Sequence, residues 1–238
     1  MQQSRSRELL ITLFLLLSII ILFAFTNLDI FIQEFFYNAD THQWLLDRNE
    51  PVLKFIFYDG IKKLLILFAI SILLILIFFR KNKTVLEYKK GLIIILLSSI
   101  IVPLSVGSLK AVTNMPCPKN IQHFNGKYPD VSVFECYPQE FKEKNPDCKI
   151  KCWPAGHASG GFALLSLFFL FKSQKNQKRA VIIALSIGFS MGIYKMLIGD
   201  HFFSHTIITM LIAWLIILVI DSLITIQQRR YIAQPAKI

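Results

Sequence analysis

Six stretches of the chain are too long and too apolar to be comfortable in water. They fall at about residues 8–26, 63–79, 91–109, 156–171, 180–198 and 203–222. The hydrocarbon core of a bilayer is about 30 Å thick, and a helix needs roughly 20 apolar residues to cross it. Composition agrees: 54% of the 238 residues are hydrophobic and the mean hydropathy is +0.54, unlike ordinary soluble domains. The expected fold class is all-α, an integral membrane bundle of six transmembrane helices. It forms a single domain, 1–238, with no internal repeats or low-complexity tract. The first run exceeds the roughly 7–15 residues of a signal-peptide core, and no small-x-small cleavage site follows "LFAFTNLD". It reads as a retained anchor.

Lysine and arginine set the orientation. On the side that holds the N-terminus lie Arg5, Arg7, Arg80, Lys81, Lys83, Lys89, Lys90, Lys172, Lys175, Lys178, Arg179, Arg229, Arg230 and Lys237, in short segments with only Glu8 and Glu87 as acids. The remaining basic residues are spread over longer segments that also carry most of the acids. The positive-inside rule therefore places both termini in the cytoplasm. The net charge of +11 needs no nucleic acid, because basic ends facing anionic lipid account for the inner half.

Two outer segments stand out. Between the first two spans, Ile30, Phe31, Phe35 and Phe36 would line one face of a short interfacial helix, with an ordinary loop anchored by Trp44 and Tyr58 as the alternative. Between the third and fourth, at about 111–155, lie all four cysteines, Cys117, Cys136, Cys148 and Cys152, and, ahead of Pro154, five of the nine prolines (Pro116, Pro118, Pro129, Pro138 and Pro146). This outer loop reads as irregular and disulfide-prone, with two disulfides favoured and three pairings open.

Following each span through the membrane brings polar residues to one depth. The third span runs outward and ends at Lys110. The fourth runs inward with His157 in its first turn. The fifth carries Lys195 in its last turn, and the sixth begins with His201 and His205 one turn apart on the same face. Any one of these has a plainer reading as a snorkelling lysine or a structural histidine. Together, cations and imidazoles at one rim with few acids nearby suit a phosphate. Pro154 fits a helix start, and Gly156 allows close backbone approach where free N–H groups attract anions. Gly156 and Gly160 also form a small-xxx-small pair suited to helix packing.

These blocks, "KAVTNMPCP", "PAGHASGG" and "KMLIGDHFFSH", resemble the three signatures of the phosphatidic acid phosphatase type 2 family. Lys110 and Pro118 match the first, Pro154, Gly156 and His157 the second, and His201 the third. Cys117 stands where the family has its first Arg, Ala155 replaces a Ser, Tyr194-Lys195 replaces Ser-Arg, and His205 replaces an Asp. The combination is similar to a bacterial branch that includes lipid A phosphatases. The resemblance implies a metal-independent phosphatase that needs no cofactor. It would sit in the bacterial inner membrane, with its active site facing the periplasm and a lipid phosphate as substrate. It also implies roles: His201 as nucleophile forming a phosphohistidine, His157 as general acid and base, and His205 as the orienting partner of His201. Lys110 and Lys195 would bind phosphate together with Gly156, and Lys119 would supply the cation absent at Cys117. Lipid A, at its 1- or 4′-phosphate, is the first substrate expectation; undecaprenyl diphosphate and phosphatidylglycerol phosphate are alternatives.

Three other classes fit parts of the pattern. His201 and His205 have helical zinc-pair spacing, with Asp200 or His157 as a third ligand. Four outer cysteines suit a thiol relay, although no CxxC is present. A non-catalytic phosphate binder would need the same cations. Nothing in the chain specifies an oligomeric state.

Overall fold

The computed structural model describes residues 2–145 and 150–233; Cys148 and Lys237 lie outside them. Among the described residues, five helices are long and apolar enough to cross a membrane: α1 (Gln2–Ala24), α3 (Pro51–Phe78), α4 (Lys83–Val112), α7 (Gln174–Leu197) and α8 (Phe203–Ala233). Their starts are encoded locally. Glu50 accepts from the backbone of Val52 and Leu53 ahead of Pro51, Asn82 caps α4 through Thr84 N–H, and Ser173 caps α7 through Asn176 N–H. Each supplies an acceptor to a helix end that lacks one.

The fourth of the six expected spans differs from expectation. It is α6 (Gly156–Phe169), eight residues of α-helix followed by a six-residue 3-10 segment, Leu164–Phe169. At 1.5 and 2.0 Å of rise per residue this covers roughly 24 Å, short of the roughly 30 Å of a bilayer core. It belongs to the centre of the bundle. Ala158, Phe162, Ala163, Leu164 and Leu165 are all buried, in one cluster with Ile94 and Val102 of α4, Ala184 of α7, and Ala213 and Ile217 of α8.

Close packing of α6 uses a glycine one position from the expected pair. A Cβ on Gly161 would lie 2.8 Å from the Cα of Gly188 in α7, whereas one on Gly160 would meet only Leu65 Cδ1 at 3.2 Å. The Gly161–Gly188 contact is where the two backbones meet, and the Phe162 ring lies across Gly188. Gly156 and Gly160 face elsewhere.

The segment after α1 forms a short helix, α2 (Leu28–Glu34), and a two-stranded ladder, β1 (Tyr37–Asn38) with β2 (Gln43–Trp44). The expected aromatic face is split. Phe31 and Phe35 are exposed and in edge-to-face contact, while Ile30 packs towards Phe124 and Phe202. The side turned inward carries Asp29 and Gln33, because the α7–α8 turn offers these polar groups partners. The longer loop between α4 and α6 is irregular, as expected, with two 3-10 turns and one short helix, α5 (Gln139–Lys144), among its described residues.

Candidate active site

The C-terminal ends of α4 and α7 and the N-terminal ends of α6 and α8 meet around three imidazoles. His201, in the turn between α7 and α8, is 2% exposed, and His205, in the first turn of α8, is 0% exposed. Their Nδ1 atoms are 3.3 Å apart, so one ring donates to the other. The His157 ring lies 6.2 Å from that of His201, centroid to centroid. His157 Nδ1 and His205 Nε2 are buried without a hydrogen-bond partner among the described residues, which leaves them available to a ligand.

Local chemistry fixes each histidine. The N–H of Ala155 donates to Thr209 Oγ1 at 2.9 Å, tying the start of α6 to α8. The end of α7 is closed by Asp200 N–H and His201 N–H, which both donate to the carbonyl of Lys195 at 2.7 and 3.2 Å. Gly199 makes that reversal in the left-handed region, φ +71°, where a side chain would be strained. Lys195 and His201 are thereby locked to one turn.

The cations divide into two groups. Lys110 lies beside Gly156, with its Nζ 4.0 Å from where a Cβ there would stand. Lys110, Gly156 and His157 line one end of a cavity of about 660 Å³ whose remaining wall is mainly apolar, with Tyr58, Lys62, Ser99 and Ser159 as its polar members. That wall includes Ile70, Leu73 and Ile100, which are also exposed on the outside of the bundle, so the cavity opens sideways between α3 and α4. Lys195, by contrast, is tied to Asp200: its Nζ is 3.0 Å from Oδ2, Lys119 Nζ is 2.8 Å from Oδ1, and the Arg48 guanidinium also bonds Oδ1. Burial alone would raise the Asp200 carboxyl. Its bonds to Lys119 and Lys195 outweigh that and hold it below the usual carboxylate value.

The cysteines resolve in part. Cys117 and Cys152 form a disulfide, and Cys136 is a free, exposed thiol. The expectation of a second disulfide is corrected at Cys136; its remaining candidate, Cys148, lies outside the described residues. Cys152 Sγ sits 3.6 Å from His201 Nδ1 and 2.9 Å from the Asp200 carbonyl. A disulfide sulfur has no hydrogen to donate, so these are packing contacts that back the His201 ring. Cys152, His201 and His205 have ligand atoms within 4.8 Å of one another. The disulfide occupies that sulfur and Asp200 is turned to cations, so of the third ligands expected beside the His201–His205 pair only His157 remains, its ring 6.2 Å from that of His201.

Three participants escape a reading of the sequence. Tyr58, taken there as an interfacial anchor, lies in a π-helical stretch of α3, Phe55–Gly60, a distortion frequent at functional sites. Its ring is 4.4 Å from Lys195 Nζ and 4.5 Å from the His157 ring. Arg48 has no local motif that would flag it, and Asp200 serves as a counter-ion. The first outer loop is also stitched to the α7–α8 turn. Gln33 Nε2 donates to the Met196 carbonyl at 2.8 Å, Leu46 N–H donates to the Leu197 carbonyl at 3.2 Å, and Trp44 packs on Gly199. Asp29 accepts from both the backbone and the hydroxyl of Ser204.

An apolar helical bundle that collects imidazoles and ammonium groups at the end of a lipid-facing cavity is a membrane enzyme built for an anion. Residues 91–229 match the PAP2 superfamily model, more than half of the chain, and the chain belongs to that superfamily. It is a phosphatase. Over 192 residues it is 30% identical to the lipid A 4′-phosphatase of Francisella tularensis subsp. novicida (strain U112), covering 77% of this chain and 80% of that protein. No solved structure matches.

Proposed function

We propose that this protein hydrolyses a phosphate monoester of a lipid headgroup, with lipid A as substrate and its 4′-phosphate as the group removed. The observation that carries the reading is the placement of His201 between His157 and His205, with Lys110 and Lys195 at the same rim. The position removed follows the activity of the Francisella relative.

His201 attacks phosphorus, forming a nitrogen–phosphorus bond as the bond to the lipid oxygen breaks. His157, in its protonated form, gives its proton to that leaving oxygen. His201 donates Nδ1–H to His205, which fixes the tautomer and shares the charge that attack creates on the ring. Water then attacks the phosphohistidine, His157 takes its proton, and His201 departs as phosphate leaves. Lys110, Lys195 and Lys119, with backbone N–H groups near Gly156, neutralise the non-bridging oxygens, where most of the catalysis of phosphoryl transfer lies. The acyl chains rest in the apolar cavity between α3 and α4. The basic end holding Arg5, Lys90 and Arg229 faces the cytoplasm, and the site faces the periplasm from the bacterial inner membrane.

Purified protein is expected to release phosphate from lipid A in the presence of chelator, and His201→Ala to abolish release. Full turnover by His201→Ala would remove the nucleophile assignment. Mass spectrometry of membrane lipids with and without the protein separates lipid A from undecaprenyl diphosphate and phosphatidylglycerol phosphate.

A further inference from the structure

We infer, resting on the reading above, that Arg48 is a further phosphate-binding residue and that Asp200 gathers Arg48, Lys119 and Lys195 into a phosphate subsite before substrate arrives. Charge balance is the first argument. Three cations converge on a single carboxylate and leave a surplus of two positive charges. A phosphate monoester carries about −1.5 to −2 at neutral pH, which matches that surplus. A carboxylate alone does not explain why three cations are assembled one residue from His201.

Geometry is the second. Asp200 uses both oxygens, Oδ1 for Lys119 and Arg48 and Oδ2 for Lys195, so the three cations are held at one point despite their mutual repulsion. Side-chain exposure rises outward, 10% at Lys195, 30% at Lys119 and 44% at Arg48. The cations thus lead from the buried nucleophile to the outer surface. Arg48 supplies the planar fork that grips two phosphate oxygens, which an ammonium does not. Position 117, a cysteine bonded to Cys152, has no guanidinium to offer.

The third argument is that Arg48 is held where it is needed. Gln33, Trp44 and Leu46 fasten its loop to the same turn that carries Asp200 and His201. Residue 48 also precedes the segment matched by the family model, 91–229. The subsite is therefore completed from this chain's own first outer loop. Arg48 touches the phosphate; Asp200 is a positioning residue.

The test titrates orthophosphate into purified full-length protein in detergent micelles, by calorimetry at neutral pH and low salt. Arg48→Ala is expected to weaken binding about tenfold or more, the worth of one charge-assisted hydrogen bond, with Arg48→Lys recovering only part. Asp200→Asn separates positioning from simple charge. Removing a negative charge beside the site should tighten phosphate binding if Asp200 is only a competing anion; the gathering role requires weaker binding. Melting temperatures without phosphate identify any variant that fails to fold, and Arg48→Lys and the isosteric Asp200→Asn then carry the comparison. Unchanged affinity in Arg48→Ala, or tighter binding in Asp200→Asn, overturns the inference, as does a wild-type protein that binds no orthophosphate. A wild-type protein that binds orthophosphate but releases none from lipid fails the proposed function and leaves the subsite standing.

Discussion

Removing the Cys117–Cys152 disulfide tests how the outer loop supports the nucleophile. The two cysteines are 35 residues apart in sequence. Closing a loop of that size restricts the unfolded chain by about 4 kcal/mol at 25 °C in the chain-entropy account. For a chain of this length, 1 kcal/mol moves the melting temperature by roughly 2–4 °C, so the loss should amount to roughly 8–16 °C. The double variant Cys117→Ala/Cys152→Ala is the cleaner perturbation. Cys152 is fully buried, and a serine there would bury an unpaired hydroxyl as well. Tryptophan fluorescence melts in detergent, with and without reductant, give the shift. The exposed free thiol of Cys136 makes Cys136→Ser the control, expected to leave the melt unchanged. Turnover should fall too, because Cys152 Sγ backs the His201 ring at 3.6 Å. A double variant that melts within about 3 °C of wild type would refute the reasoning, showing that the loop is held by its other contacts.

Asp29 predicts a pH dependence of stability. Burial, opposed by its hydrogen bonds to Ser204, raises its carboxyl from 3.8 to about 6. Because the folded-state value is the higher one, the folded protein binds the extra proton. Stability is greatest below about pH 4 as far as this group is concerned, and falls as pH rises to 6, by about 3 kcal/mol in all. Asp29→Asn, which keeps an acceptor for Ser204 N–H, should flatten the difference in melting temperature between pH 5 and pH 7; an undiminished slope would discard the assignment. At the helix crossing, Gly161→Val drives a branched side chain into the Gly188 backbone, 2.8 Å from the new Cβ. Overpacking of this kind costs about 1–3 kcal/mol, to be read as a lower melting temperature, whereas Gly107→Ala, inside α4 with nothing within 4 Å, should not lower it and gains about 0.5–1 kcal/mol of helix preference.

The architecture was legible because it is written in runs. Apolar length marks five of the spans directly, and capping residues such as Asn82 and Ser173 mark where they begin. The convergence of Lys110, His157, Lys195, His201 and His205 was legible as well, since alternating helix direction alone brings them to one end. What escaped depends on pairings with no period. Arg48 meets Asp200 across 152 positions of sequence, and no property of "LLDRNEP" announces it. Tyr58 reads as an interfacial aromatic until the π-helical stretch is seen to turn it onto Lys195. Gly160 and Gly161 differ by one position and face different neighbours, a rotation that a small-xxx-small spacing does not resolve. The disulfide partner of Cys117 was one of three choices, and only the fold brings Cys152 beside it.

The sideways opening between α3 and α4 changes what concentration means for this enzyme. A substrate that arrives through the wall of the bundle is counted per area of bilayer, and its supply is set by its mole fraction among neighbouring lipids. Diluting the membrane with inert lipid should slow turnover even when the amount of substrate per litre is held constant.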